Sequence, residues 1–116
     1  MKIVIAYDNN TDRLILKTIL TKSEHEVFAA EDGLHAVEMF KKHQPDIVLL
    51  DAMMPNLDGY DAAEQIKQAA GENMVHVIFL TSLKEASALT RCLEVGDDVL
   101  TKPYNKSILQ AKIEAF

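Results

Sequence analysis

Short apolar runs alternate along the chain with longer segments in which apolar residues recur every three or four positions. That is the pattern of β/α units around a parallel sheet whose two faces are both covered. The runs Lys2–Tyr7, Glu26–Ala30, Asp46–Leu50, Val75–Leu80 and Asp98–Thr101 are predicted strands, with the first, third and fourth central. Between them, Thr11–Lys22 places Ile15 and Ile19 on one helical face, and Leu34, Val37 and Phe40 form a stripe ahead of the basic end Lys41-Lys42-His43. Asp61–Ala70 carries Ala62, Ile66 and Ala69 and stops at Gly71, while Glu85–Val95 carries Leu89 and Leu93 and stops at Gly96. Ser107–Phe116 spaces Leu109, Ile113 and Phe116 helically, and its shortness suggests a chain cut there. No linker, repeat or low-complexity tract interrupts the five units, so one (βα)₅ domain spanning residues 1–116 is expected.

Composition narrows the function more than the fold. The 116 residues suit one hydrophobic core, and 48% hydrophobic with 26% charged residues are ordinary globular values. A formal net charge of −6, with no dense Lys/Arg run, repels phosphate backbones, so direct nucleic-acid binding by this segment is not expected. The first apolar stretch, Ile3–Tyr7, is too short for a secretory or membrane-spanning segment, so the expected location is cytoplasmic and no membrane partner is expected. The lone Cys92 cannot form an internal disulfide and reads as a small buried hydrophobe.

Chemistry should collect at one end of the sheet. Parallel strands joined by right-handed crossovers place ligand sites outside their carboxyl ends. Asp8, Asp51, Thr81 and Lys102 stand at or just past the ends of four different runs. Two carboxylates, a hydroxyl and an ammonium in one crevice suit a phosphoryl group. A carboxylate can attack phosphorus to give an aspartyl phosphate, but its charge repels the incoming oxygens and calls for a cation. Mg²⁺, a hard ion that takes one or two carboxylates plus phosphate, fits Asp8 and Asp51, leaving Lys102 and Thr81 for the other phosphoryl oxygens.

The stretches Asp51-Ala52-Met53-Met54-Pro55-Asn56-Leu57-Asp58-Gly59, Leu80-Thr81-Ser82 and Leu100-Thr101-Lys102-Pro103-Tyr104 together resemble the receiver domains of bacterial response regulators, and nearly the whole chain takes part. The resemblance implies an α/β, doubly wound, flavodoxin-like sheet of order 2-1-3-4-5. It also implies Asp51 as phospho-acceptor, Asp8, Asp51 and the Met53 carbonyl as Mg²⁺ ligands, Thr81 as the switch hydroxyl and Lys102 as the phosphoryl partner. Lys102–Pro103 looks like the family's cis peptide. The implied role is a signalling switch of a two-component phosphorelay, not an enzyme. It would be served by a sensor histidine kinase or histidine phosphotransfer protein and read out by an output domain or target protein.

Three departures stand against the family pattern. Tyr7 precedes Asp8 where relatives carry a second acid, a change that should weaken Mg²⁺ binding by roughly 10–100-fold. Val99 stands where relatives commonly carry a rotating aromatic residue, and the loop from Gly96 to Lys102 is one residue shorter than usual. A degenerate receiver that binds partners without phosphorylation is the alternative these changes raise. An Asp-nucleophile phosphohydrolase is less favoured, because its pattern would need a second Asp at the position of Met53. Asp58-Gly59 reads as a turn and helix start, Asp97-Asp98 as a solvated loop charge pair, Met53-Met54 as packing and the four His residues as surface positions.

Overall fold

The computed structural model describes residues 1–7, 9–52, 58–81, 86–102 and 105–115, with the backbone alone at 86–89. Five strands, β1 (Lys2–Ala6), β2 (Glu26–Ala30), β3 (Ile47–Asp51), β4 (His76–Thr81) and β5 (Asp98–Thr101), alternate with five helices. These are α1 (Asn10–Lys22), α2 (Gly33–His43), α3 (Gly59–Ala70), α4 (Ala86–Val95) and α5 (Lys106–Glu114). All pairings are parallel and the order is β2-β1-β3-β4-β5, as the family resemblance implies.

Helix starts follow from local chemistry. Asn9, Asp32, Asp58 and Asn105 each accept a hydrogen bond from the backbone N–H three residues on, satisfying a donor that has no partner within the helix. At the far end of α3, Gly71 adopts a left-handed φ of 59° that a side chain would strain. Gly96 has a different reason: a Cβ there would lie 2.6 Å from the Phe79 ring, so the absence of a side chain lets α4 and β5 close onto β4.

Alternation along the strands builds two apolar layers. Val4, Ala6, Val48, Leu50, Val77 and Phe79 face α2, α3 and Cys92 of α4. Ile3, Ile5, Ile47, Leu49, Ile78, Leu80 and Leu100 face Leu16 and Leu20 of α1 and Leu109 and Ile113 of α5. Cys92 is fully buried, and burial pushes its thiol pKa up, so it packs as the sequence suggested.

Val37, Phe40, Ala62, Ile66, Leu109 and Ile113 are buried as expected, while other expected stripe positions are shifted by about one residue. Leu16 and Leu20 are buried on α1, with Ile19 packed at the edge, while Ile15 is exposed. On α2 the buried set is Gly33, Ala36, Val37 and Phe40, and Leu34 faces outward. Ala70 replaces Ala69 on α3, and on α4 Leu93 is exposed where Cys92 is buried. These helices carry more apolar residues than one stripe needs, so docking on the sheet decides which of them become core.

Asp97 is exposed, as expected of a loop charge, and Asp98 is half-buried at the start of β5, but both carboxylates are engaged. The Asp97 carboxylate accepts from the Val77 N–H at 2.8 Å and pairs with the Lys67 ammonium, while Asp98 pairs with Lys112 at 2.9 Å. Asp97 thereby ties the turn before β5 to β4 and α3, and Asp98 ties β5 to α5. The histidines are partly buried, and His43 stacks on Phe28 with ring centroids 3.7 Å apart.

Candidate functional site

The carboxyl ends of β1, β3, β4 and β5 meet at one edge of the sheet. Asp51 is the last residue of β3 and Thr81 the last of β4, so both are held by strand geometry rather than by a loop. Lys102 follows β5 directly, and its N–H donates to the Thr81 carbonyl at 2.7 Å, carrying the β4–β5 ladder one step past Thr101. Tyr7 likewise extends β1, donating to the Ala30 carbonyl at 3.2 Å.

Strand alternation decides which side chains can meet. Tyr7 continues Ile3 and Ile5, Asp51 continues Ile47 and Leu49, and Lys102 continues Leu100, all on the side covered by α1 and α5. Accordingly the Lys102 ammonium lies 3.5 Å from Asp51 Oδ2 and 4.2 Å from the centroid of the Tyr7 ring. Thr81 falls on the other pleat, with Val77 and Phe79, and is 2% exposed. The bond from the Lys102 N–H to its carbonyl ties it to the cluster.

Asp51 is 8% exposed, so its carboxylate sits at the mouth of the crevice in reach of a small ligand but largely withdrawn from water. Its separation from Lys102 is longer than the ~2.7–2.9 Å of a charge-assisted hydrogen bond. The ammonium therefore acts on the carboxylate as a charge through space more than as a hydrogen-bond donor. The backbone of Asp51 is fixed from behind by Gly59, where a Cβ would come within 2.3 Å of the Asp51 carbonyl oxygen. The Gly59 N–H donates to the Ala52 carbonyl at 3.1 Å.

Of the five residues expected here, the structure brings Asp51 and Lys102 into contact and sets Thr81 beside them. Asp8 and Met53, expected to share the metal, lie outside the described residues, as does Pro103 of the expected cis peptide. Among the described residues no cluster of three or more His, Cys, Asp and Glu side chains stands ready for a metal. What they do offer a cation here is the Asp51 carboxylate, an oxygen donor suited to a hard ion such as Mg²⁺.

Two participants escaped sequence reasoning. The sequence reads Tyr7 as a missing acid, whereas its buried ring is a contact surface for Lys102, and its position one step past β1 is the available signal. Gly59 read as a turn residue, whereas it gives clearance to the backbone of Asp51, which no local pattern could reveal.

The chain matches the family described as response regulator receiver domain over residues 3–114. It is 37% identical over 115 residues to a probable transcriptional regulator, ycf27, of Porphyridium aerugineum; the match spans 98% of this chain and 47% of that protein, so the chain covers about half its length. Among solved structures it is similar to the receiver domain of the sensor histidine kinase PA1611 of Pseudomonas aeruginosa, which holds a magnesium ion in its active-site cleft. There the identity is 28%, the TM-score 0.89, and the coverage 98% of this chain and 94% of that one. It is equally similar to the receiver domain crystallised with the histidine phosphotransfer protein Ypd1 of Saccharomyces cerevisiae, the response regulator Ssk1. That match has 28% identity and a TM-score of 0.90, with 97% of this chain and 86% of that one covered.

Proposed function

The chain belongs to the response regulator receiver domain family, signalling switches of two-component phosphorelays, and on that footing we propose that Asp51 is its phospho-acceptor and Mg²⁺ its cofactor. The observation that carries this reading is the pairing of a nearly buried strand-end carboxylate with an ammonium 3.5 Å away. A phosphorylated histidine of a sensor kinase or phosphotransfer protein is the donor this chemistry fits. An Asp51 carboxylate oxygen forms the new P–O bond as the P–N bond breaks, and the departing imidazole keeps the electron pair and takes up a proton.

Each neighbouring group has a task in that transfer. The Lys102 ammonium faces the charge that arrives on the phosphoryl oxygens, in a crevice dry enough to strengthen the attraction. The Thr81 hydroxyl donates to a second oxygen. Asp8, Asp51 and the Met53 carbonyl would hold Mg²⁺, which when bound draws negative charge away from nucleophile and phosphoryl group. The signal would then be read out by an output domain or by a separate target protein.

Incubation with acetyl phosphate and Mg²⁺ tests the assignment. Intact-mass spectrometry should show one added phosphoryl group, and Asp51→Asn should abolish it; undiminished labelling of that variant would place the acceptor elsewhere. Tyr7, buried where relatives have an acid, favours a second reading in which the domain binds partners without phosphorylation. That reading requires the wild-type chain to remain unlabelled.

A further inference from the structure

From the contact of Lys102 with two different neighbours we infer that Tyr7 is a positioning residue, whose ring face holds the Lys102 ammonium over the acceptor crevice. This rests on the reading of Asp51 as acceptor. The ammonium lies 4.2 Å from the ring centroid and 3.5 Å from Asp51 Oδ2, so it is suspended between a π face and a carboxylate instead of hydrogen-bonded to the acid. A lysine has a flexible four-carbon stem, and at 27% side-chain exposure Lys102 could otherwise turn toward water. A partly desolvated aromatic face attracts a cation without placing a second counter-charge beside it.

The platform itself is rigid. The Tyr7 ring is 2% exposed and belongs to the apolar layer of Ile5, Leu100 and Leu109. Its backbone is held on both sides, by the N–H bond to Ala30 and by Arg13 Nη1, which donates to the Tyr7 carbonyl at 2.6 Å. Arg13 is in turn hydrogen-bonded to Asn10, so the first turn of α1 fixes the height of the ring. A carboxylate at position 7 would draw both Mg²⁺ and Lys102; the neutral ring attracts the lysine without adding a charge for the metal. The residue that departs from the family pattern thus shifts the site's dependence from the metal toward the ammonium.

Two measurements separate this role from simple packing. In the metal-free wild-type protein, the ε-methylene protons of Lys102 should be moved upfield by the Tyr7 ring current, a shift kept in Tyr7→Phe and lost in Tyr7→Leu or the gap-filling Tyr7→Met. Beryllofluoride, a mimic of the phosphoryl group, is then titrated at saturating Mg²⁺. Tyr7→Leu should weaken its binding roughly 2- to 30-fold, Tyr7→Phe should restore it, and in a Lys102→Ala background the Tyr7 substitutions should add nothing. Ordinary Lys102 shifts in the wild type, or an equal Tyr7 effect with and without Lys102, would overturn the inference. If the wild type fails to bind beryllofluoride while its Lys102 shift is present, the reading of Asp51 as acceptor falls, and the positioning role with it.

Discussion

Gly59→Ala sets two physical effects against each other, and the structure decides between them. Gly59 is the first residue of α3, where alanine would ordinarily gain about 0.5–1 kcal/mol from reduced unfolded-state entropy and better helix propensity. The added Cβ, however, would lie 2.3 Å from the Asp51 carbonyl oxygen and 2.9 Å from the Ala52 Cα. The first distance is more than an ångström short of ordinary contact, and both partners are backbone at the end of a buried strand, so nothing flexible can turn aside. Overpacking of this kind costs about 1–3 kcal/mol or more, which outweighs the propensity gain and leaves a net loss of about 2 kcal/mol. For a domain of this size that is a fall in Tm of roughly 10 °C. Urea unfolding measures the loss directly. Gly71→Ala is the control: nothing lies within 4 Å of its Cβ, and the cost is the backbone alone, held at φ 59° and ψ −120° where a side chain is strained, about 1–3 kcal/mol. Because relief of the Gly59 clash moves the Asp51 backbone, acetyl phosphate should also label folded Gly59→Ala more slowly than folded Gly71→Ala. If Gly59→Ala is as stable as wild type, the close approach is not a constraint and does not hold the Asp51 backbone in place.

Tyr7→Asp should tighten Mg²⁺ binding by adding an anion beside the metal site, and should lower the stability of the metal-free protein by burying a carboxylate near Asp51; superimposable metal titrations would remove position 7 from the metal's reach. For Asp97, burial pushes its carboxyl pKa up, but the Lys67 and Val77 hydrogen bonds and the charges of Lys67 and His76 outweigh this and leave it below the ordinary 3.8. Its contribution to stability is therefore complete well above pH 3.8 and is lost as pH falls through the lowered folded value. Asp97→Asn should cost about 1 kcal/mol at pH 7, discounted for the part-exposed Lys67 pair, with the difference from wild type shrinking in acid; a pH-independent difference in urea midpoints would contradict this. Val99 packs partly buried against the layer beneath α4 and has few χ1 states, so beryllofluoride should perturb amides near Asp51, Thr81 and Lys102 strongly and α4 weakly. Val99→Tyr should enlarge the α4 changes, and identical spectra in the two proteins would show that the switch does not pass through position 99.

The sequence by itself determined the element order, the strand boundaries to within a residue, and the three strand-end residues Asp51, Thr81 and Lys102. Each of these is written in local pattern: apolar runs set strands, and a polar residue after an apolar run marks the end of a buried strand. Tertiary structure decided what periodicity left degenerate. α1 carries Leu14, Ile15, Leu16, Ile19 and Leu20, and only docking on the sheet selects Leu16 and Leu20 for the core. Asp97 and Asp98 found their lysines 30 and 14 residues away, partners that no window along the chain contains. Tyr7 and Lys102 are separated by almost the whole chain, yet the crossover that sets β1 between β2 and β3 and the pleat that turns odd residues of β1 and even residues of β5 to one side bring ring and ammonium together. The residue types come from the sequence. Which of them share a crevice depends on strand order and pleat, because a parallel sheet assembles its functional edge from segments that are distant in the chain.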